Sequence, residues 1–163
     1  MPTVIRPMTL EEFEIFYQFS IEQHTAELME ELHISRETAL QAARKEVAEM
    51  LPQGLLTEHH HLMTVAESDS KETAGFIWTI HEETNGRKQS FICDFAICER
   101  KRRKGIGTEA LYLAEKHATE AGCRESVLFV ADRNHAARTL YEKCGYQVLR
   151  QERYGKYMVK RLF

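Results

Sequence analysis

The 163-residue chain is 43% hydrophobic and 29% charged, with a formal net charge of −3. That balance supplies a core for one compact domain. It excludes a disordered chain, a disulfide-scaffolded miniprotein and a globally basic nucleic-acid binder.

Thr3 to Arg6 reads as a short strand ended by Pro7. Thr9-Leu10-Glu11-Glu12 then fits a capping box, with Met8 and Phe13 at the positions of a hydrophobic staple. A helix over Leu10 to His24 follows, with Phe13, Phe16, Tyr17 and Ile21 on one face. Ser35 caps a second helix in which Leu40, Ala43, Val47 and Leu51 recur at helical spacing before Pro52. Leu62 to Ala66 and Gly75 to Ile80 are β-rich runs separated by a polar turn over Glu67 to Thr73. Glu83-Thr84-Asn85-Gly86-Arg87 makes a second turn. Ser90 to Cys98 is almost continuously apolar with Asp94 inside it, the pattern of a central strand covered on both faces. From Gly105 the period is helical, with Ile106, Ala110, Leu113, Ala114 and Ala121 on one stripe and Gly122 as C-cap. Ser126 to Ala131 is a buried strand, Asn134 to Cys144 a short helix stopped by Gly145, and Tyr146 to Leu149 and Lys156 to Leu162 the last strands. The order β-α-α-β-β-β-α-β-α-β-β describes an α/β chain of the α+β kind, a mixed sheet with helices on its faces. No repeat or linker divides it, so residues 1–163 read as a single domain.

No apolar run approaches the roughly 20 residues needed to span a bilayer, and no signal-peptide core is present, so no membrane partner is expected. The four cysteines (Cys93, Cys98, Cys123, Cys144) form no C-x-x-C pair. They read as reduced thiols of a cytoplasmic protein.

Arg102-Arg103-Lys104-Gly105-Ile106-Gly107-Thr108 is the most informative segment. Its glycines, placed at a helix start, let the backbone approach a ligand, and the helix's first N–H groups point outward at an anion. The helix dipole and the basic run Arg100 to Lys104 favour a pyrophosphate there, and the bland alternative is a tight turn with a solvated charge run. Gly105 to Ala110 formally matches the dinucleotide fingerprint G-x-G-x-x-A. Glu99 to Lys104 nevertheless separate that turn from its strand, and too little chain follows for a doubly wound sheet. A Walker loop fails, because no Gly-Lys-Ser/Thr is present. Nor do aromatic residues interleave with the basic run, so no nucleic acid is expected.

Arg102-x-x-Gly105-x-Gly107 resembles the Q/R-x-x-G-x-G/A motif of the GNAT superfamily of N-acetyltransferases. Asn134-x-x-Ala137-x-x-Leu140-Tyr141-x-x-x-Gly145-Tyr146 resembles that family's second signature. One helix and one strand lie between the two blocks, as in the family, and the element order fits its acyl-coenzyme A N-acyltransferase fold. The resemblance implies acetyl-coenzyme A as co-substrate, bound by Arg102, Arg103, Lys104, Gly105, Ile106, Gly107, Thr108 and Asn134. It also implies that main-chain groups of Phe95, Ala96 and Ile97 pair with the pantetheine arm. Ordinary sheet pairing is the alternative, and a local splay from the strand Ser126 to Ala131 separates the two. Sheet-edge dimers are frequent in the family, which leaves a homodimer open.

Acetyl transfer from a thioester to an amine needs a neutral amine, donors for the developing oxyanion and a proton for the leaving thiolate. No Cys–His arrangement argues for an acyl-enzyme, so direct transfer in a ternary complex is expected. The resemblance makes Tyr141 the proton donor; by itself it reads as a core tyrosine whose hydroxyl finds a backbone acceptor. Asp94 is a candidate base, since an acid in an apolar strand is costly unless paired or functional, and a structural carboxylate is the other reading. Some relatives carry a glutamate base on the following strand where this chain has Phe129.

His59-His60-His61 would set two imidazoles on one strand face and one on the other, short of a zinc site, so no metal is expected. A solvated turn is the plain reading. The acids Glu22, Glu27, Glu30, Glu31 and Glu58 would suit a cationic acceptor, although acidic helix faces are commonly just solvated. The expected activity is transfer of acetyl to a primary amine of a small molecule or peptide. The alternative is a non-catalytic acyl-coenzyme A-binding sensor on the same fold.

Overall fold

The computed structural model describes residues 2–69 and 72–163, so part of the turn expected over Glu67 to Thr73 lies outside the described residues. The chain divides into two compact units, Met1–Pro7 with His59–Phe163, and Met8–Glu58.

In the smaller unit, α1 (Leu10–Leu32) and α2 (Arg36–Met50) precede a 3₁₀ turn, Gly54–Leu56. The capping box is present: the Glu12 N–H donates to the Thr9 hydroxyl at 3.1 Å and the Thr9 N–H to the Glu12 carboxylate at 2.9 Å. Helix α1 continues past the expected end at His24 because Ala26-Glu27-Leu28-Met29-Glu30-Glu31-Leu32 are all strong helix formers. It stops at His33, whose φ of 54° is left-handed. Arg36 donates to both oxygens of Glu22 at 3.1 and 2.9 Å, while His24 pairs with Glu46 across the helices and with Glu27 on its own.

The pairing with Glu27, followed by that with Glu46, raises the His24 pKa to about 9. A raised imidazole pKa stabilises the fold fully below its unfolded value near 6.5 and loses that contribution as pH rises through about 9. Denaturant midpoints between pH 7 and pH 10 should therefore fall more in the wild type than in His24→Gln. Equal slopes would remove His24 from the linkage.

The larger unit is a seven-stranded sheet in the order β1-β2-β3-β4-β5-β7-β6. Its strands are β1 (Thr3–Pro7), β2 (His60–Glu67), β3 (Thr73–Thr84), β4 (Arg87–Ile97), β5 (Glu125–Ala131), β6 (Gln147–Gln151) and β7 (Gly155–Arg161). Among the described strands only β4 and β5 run parallel, joined through α3 (Ile106–Glu120), as a parallel pair requires a crossover. Helix α4 (His135–Lys143) links β5 to β6. Asn85 and Gly86, at φ 53° and 76°, close a two-residue hairpin that extends β3 and β4 beyond the expected runs. Val65, Ile77, Ile92, Leu111, Leu128, Val130 and Met158 form the core with Tyr141 and Tyr146.

The β4–β5 ladder ends at Ile92↔Leu128, although β4 continues to Ile97 and β5 to Ala131. Trp78 pairs with Asp94 and Thr79 with Ile92, so Cys93 is an extra residue bulged out of β4 where the two strands part. Beyond that point β4 stays paired with β3, and β5 with β7. Gly75 permits the close β3–β4 approach: a Cβ there would lie 2.1 Å from the Ala96 oxygen and 2.9 Å from Ile97 Cα. Backbone cannot rotate aside as a side chain can, so Gly75→Ala is expected to cost about 2–3 kcal/mol in a denaturant titration. A midpoint within error of the wild type would mean that the strands yield freely.

Candidate active site

The splay exposes one edge of β4. The Cys98 N–H donates to the Ala74 carbonyl on the β3 side at 2.7 Å. Because peptide groups alternate along a strand, those of Phe95 and Ile97 face the other way, into the gap. The Phe95 N–H donates there to the Asp94 carboxylate at 3.0 Å, and the Ile97 carbonyl accepts from Arg102 Nε at 2.9 Å. The remaining Phe95 carbonyl and Ile97 N–H are the acceptor and donor an extended ligand amide would need. Ala96 faces β3 and offers the gap no such group.

The Arg102 contact ties the tail of β4 to the glycine turn, making one continuous wall. Arg103 at φ 63° and Gly105 at φ 81° turn the chain into α3, which has no side-chain cap. The first α3 amides, those of Ile106, Gly107 and Thr108, therefore remain for an anion. The Ile106 side chain is buried and anchors the helix start. Gly107 borders Leu140 and Ile97, and Thr108 is exposed. Arg102, Arg103 and Lys104 are exposed beside the turn. The basic run is not all available to a ligand, however. Lys101 is buried and donates to Glu67 at 2.8 Å and Glu72 at 3.1 Å, and Arg100 pairs with Glu72.

Asn134 caps α4, its side-chain oxygen accepting from the Ala137 N–H at 3.1 Å, and it is exposed. Two helical turns further on, Tyr141 is 7% exposed. Burial, and next the Asp94 charge, push its phenol well above the ordinary tyrosine range, so it holds its proton at neutral pH. The two expected catalytic groups thus feel each other electrostatically although they arise from β4 and α4. No hydrogen bond to the Tyr141 hydroxyl occurs among the described residues. The neighbouring phenol differs. Tyr146, its ring 5.7 Å from that of Tyr141, has its hydroxyl 2.9 Å from Glu115 and 2.7 Å from Ser126. A carboxylate only accepts, so the single Tyr146 proton goes to Glu115 and the Ser126 hydroxyl donates to Tyr146.

The histidine run is not the solvated turn expected of it. His59 has φ 69° and precedes β2. Trp78 Nε1 donates to His60 Nδ1 at 3.0 Å, which places the His60 proton on Nε2. His61 points to the opposite face, with its ring 4.1 Å from His81 and 4.9 Å from His117 of α3. Burial first, then the His117 charge, lowers the His61 pKa to about 4; burial, then His61, lowers that of His81 to about 3. Among the described residues no group of three or more His, Cys, Asp or Glu side chains is arranged to hold a metal ion.

Sequence reasoning missed Glu115 and His81. Each leaves a signal in pattern: Glu115 stands on the buried stripe of α3 between Leu111 and Ala118, and His81 continues the inward alternation of Ile77 and Thr79.

The sequence profile described as the acetyltransferase (GNAT) family matches residues 16–146. The uncharacterized N-acetyltransferase YycN of Bacillus subtilis (strain 168) is 31% identical over 147 residues, 90% of this chain and 94% of that protein. The YycN crystal structure superposes with a TM-score of 0.82 at 29% identity, covering 93% of this chain and 98% of that one. The Thermoplasma acidophilum PaiA N-acetyltransferase, solved with coenzyme A, has a TM-score of 0.73 at 19% identity and covers 99% of both chains. A Vibrio cholerae spermidine N-acetyltransferase, solved with coenzyme A and spermine, has a TM-score of 0.69 at 18% identity, covering 98% of this chain and 95% of that one.

Proposed function

The chain belongs to the GNAT family of acetyltransferases and moves the acetyl group of acetyl-coenzyme A to an amine; on that footing we propose that Tyr141 and Asp94 carry the proton transfers. The coenzyme supplies an activated acyl group on sulfur. The gap-facing groups of Phe95 and Ile97 orient its amide-containing arm, and the amides of Ile106, Gly107 and Thr108, with Arg102, Arg103 and Lys104, take its phosphates. Asn134 flanks the same ligand from α4. Asp94, directly or through water, accepts a proton from the attacking primary amine. As the C–N bond forms and the C–S bond breaks, Tyr141 gives its proton to the sulfur, leaving an amide and a free thiol. The observation that carries this reading is that burial and the Asp94 charge hold the Tyr141 phenol protonated with no hydrogen-bond partner among the described residues, whereas the adjacent Tyr146 gives its proton to Glu115.

The family match runs through both compact units, which supports treating residues 1–163 as one catalytic domain. Four unbridged cysteines suit a reducing, cytoplasmic setting. Strand β6 lies at the sheet edge and is exposed along its length, the place where a second copy would pair in a homodimer. The helix acids favour a cationic acceptor less than their number suggests, because Glu22 is held by Arg36, and Glu27 and Glu46 by His24.

The test is mass spectrometry of reactions containing acetyl-coenzyme A and a panel of primary amines, with spermidine, lysine and N-terminal peptides included. Acetylated product made by the wild type and nearly lost in Tyr141→Phe is the expected result. Coenzyme binding without any acetylated product would favour the sensor, which nothing in the comparisons supports.

A further inference from the structure

Helix α3 carries the phosphate-binding turn at its start, and α4 carries Tyr141. What joins them is a buried polar network. Glu115 of α3, 7% exposed, accepts from Tyr146 at 2.9 Å and, through its other oxygen, from Lys160 of β7 at 2.8 Å. Ser126 of β5 completes the Tyr146 hydroxyl at 2.7 Å. Tyr146 in turn is bound to the tyrosine in question, since its N–H donates to the Tyr141 carbonyl at 3.0 Å and the two rings pack tilted at 60°. The path from the coenzyme helix to the Tyr141 ring is therefore short: a carboxylate, a phenol and one ring contact.

Stability is a poor reason for such a network. A buried ion pair gains little over well-packed apolar side chains of the same volume, and directional contacts give defined geometry instead. The geometry that matters here is the separation of Tyr141 from the sulfur of a coenzyme anchored on α3. A misplacement of about 1 Å can cost about 100-fold in rate.

We propose that Glu115 is a positioning residue which, through Tyr146, fixes Tyr141 at the distance from α3 that proton delivery to the thiolate requires. The inference rests on the reading of Tyr141 as the acid. Glu115 and Tyr146 touch neither substrate; Tyr146 cannot substitute for Tyr141, because its proton is given to Glu115.

The test is a double-mutant cycle on the full chain with the amine acetylated fastest in the panel, coenzyme A affinity being measured by calorimetry. Tyr146→Phe keeps the ring and removes both hydroxyl contacts, while Glu115→Gln keeps the size and removes the charge. Each is expected to lower kcat about tenfold and to leave the coenzyme A dissociation constant within about twofold. Tyr141→Phe, costing about 100-fold in the wild type, should cost at most about tenfold in the Tyr146→Phe background, because a misplaced acid has less to lose. A structural role alone would not produce that coupling. Losses that multiply, an unchanged kcat in Tyr146→Phe, or coenzyme affinity falling in step with kcat would each overturn the positioning role while leaving Tyr141 as the acid. A Tyr141→Phe enzyme of wild-type activity would overturn both. Should Glu115→Gln fold poorly, Tyr146→Phe decides alone.

Discussion

Tyr141→Phe is expected to lower kcat by about 100-fold while the dissociation constant of coenzyme A stays within about twofold of the wild type. The change deletes one oxygen from a ring that is otherwise 7% exposed and packed in the core, so the fold has little reason to respond. Burial and the Asp94 charge keep the wild-type phenol protonated far into alkali. In the proposed role that proton is held next to the site at every pH where the amine reacts, so that the thiolate would leave as a thiol. Without it the thiolate must depart charged or collect its proton from water. Steady-state kinetics at saturating acetyl-coenzyme A, with affinity measured separately, separates the two quantities. A kcat loss below about threefold would take the tyrosine out of proton transfer, and a parallel loss of coenzyme affinity would make its role one of binding.

Acid should destabilise the protein through two imidazole protonations, starting well above the titration of most carboxylates. The imidazoles of His61 and His81 are held near 4 and 3 by burial and by their histidine neighbours, against an ordinary value of 6.5. A depressed histidine pKa leaves the native state intact while the group is neutral, above about 6.5. Stability is then lost as pH falls from there towards the folded values, because the unfolded chain binds the protons first. The groups facing the cluster do not offset this: His59, His60, His117 and Lys88 are all cations when charged. Discounting for the solvent that reaches His61, the loss between pH 7 and pH 5 is on the order of 2–3 kcal/mol. Chemical denaturation at the two pH values should show it in the wild type and about half of it in His81→Phe, if that variant folds. His61→Gln gives a second measurement at the less buried position. A flat profile from pH 7 to pH 5 would refute the linkage. His24, raised to about 9, acts with the opposite sign at the alkaline end, so the most stable range lies between the two.

Much of this was legible in the sequence where local chemistry determines structure. The Thr9–Glu12 box, Asn85-Gly86, Gly105 and Asn134 each specify a backbone event within four residues, and each is found in place. The sequence pattern also marked β4 as central and isolated Asp94 within it. What it could not convey was pairing across the sheet. Periodicity alone ends α1 near His24, because the apolar face lapses after Ile21 while the helix propensity continues to Leu32. The histidine run looked like a solvated turn because its partners, Trp78, His81 and His117, lie 18 or more positions away. Likewise the Arg100 to Lys104 run counted as one patch until Glu67 and Glu72, brought alongside by β2 and β3, claimed two of its cations. Glu115 is the clearest case. A charge on an apolar stripe reads as a fault until Ser126 of β5, Lys160 of β7 and Tyr146, just before β6, arrive beside it.

If the coenzyme arm pairs with β4 as proposed, the parting of β4 from β5 after Ile92 makes the co-substrate a temporary strand. Without it the sheet carries an interrupted ladder in its middle; in the proposed pose its amides would continue the row. Binding is thus a small increment of folding, and a chain saturated at about 100 times the dissociation constant gains about 2.7 kcal/mol of stability. The spent thiol keeps the same amide arm as the acetylated form, so chemistry does not by itself reopen the ladder. Emptying the seam falls to a separate opening event, which makes departure of the used carrier a natural brake on turnover and free coenzyme A a competitor for the next cycle.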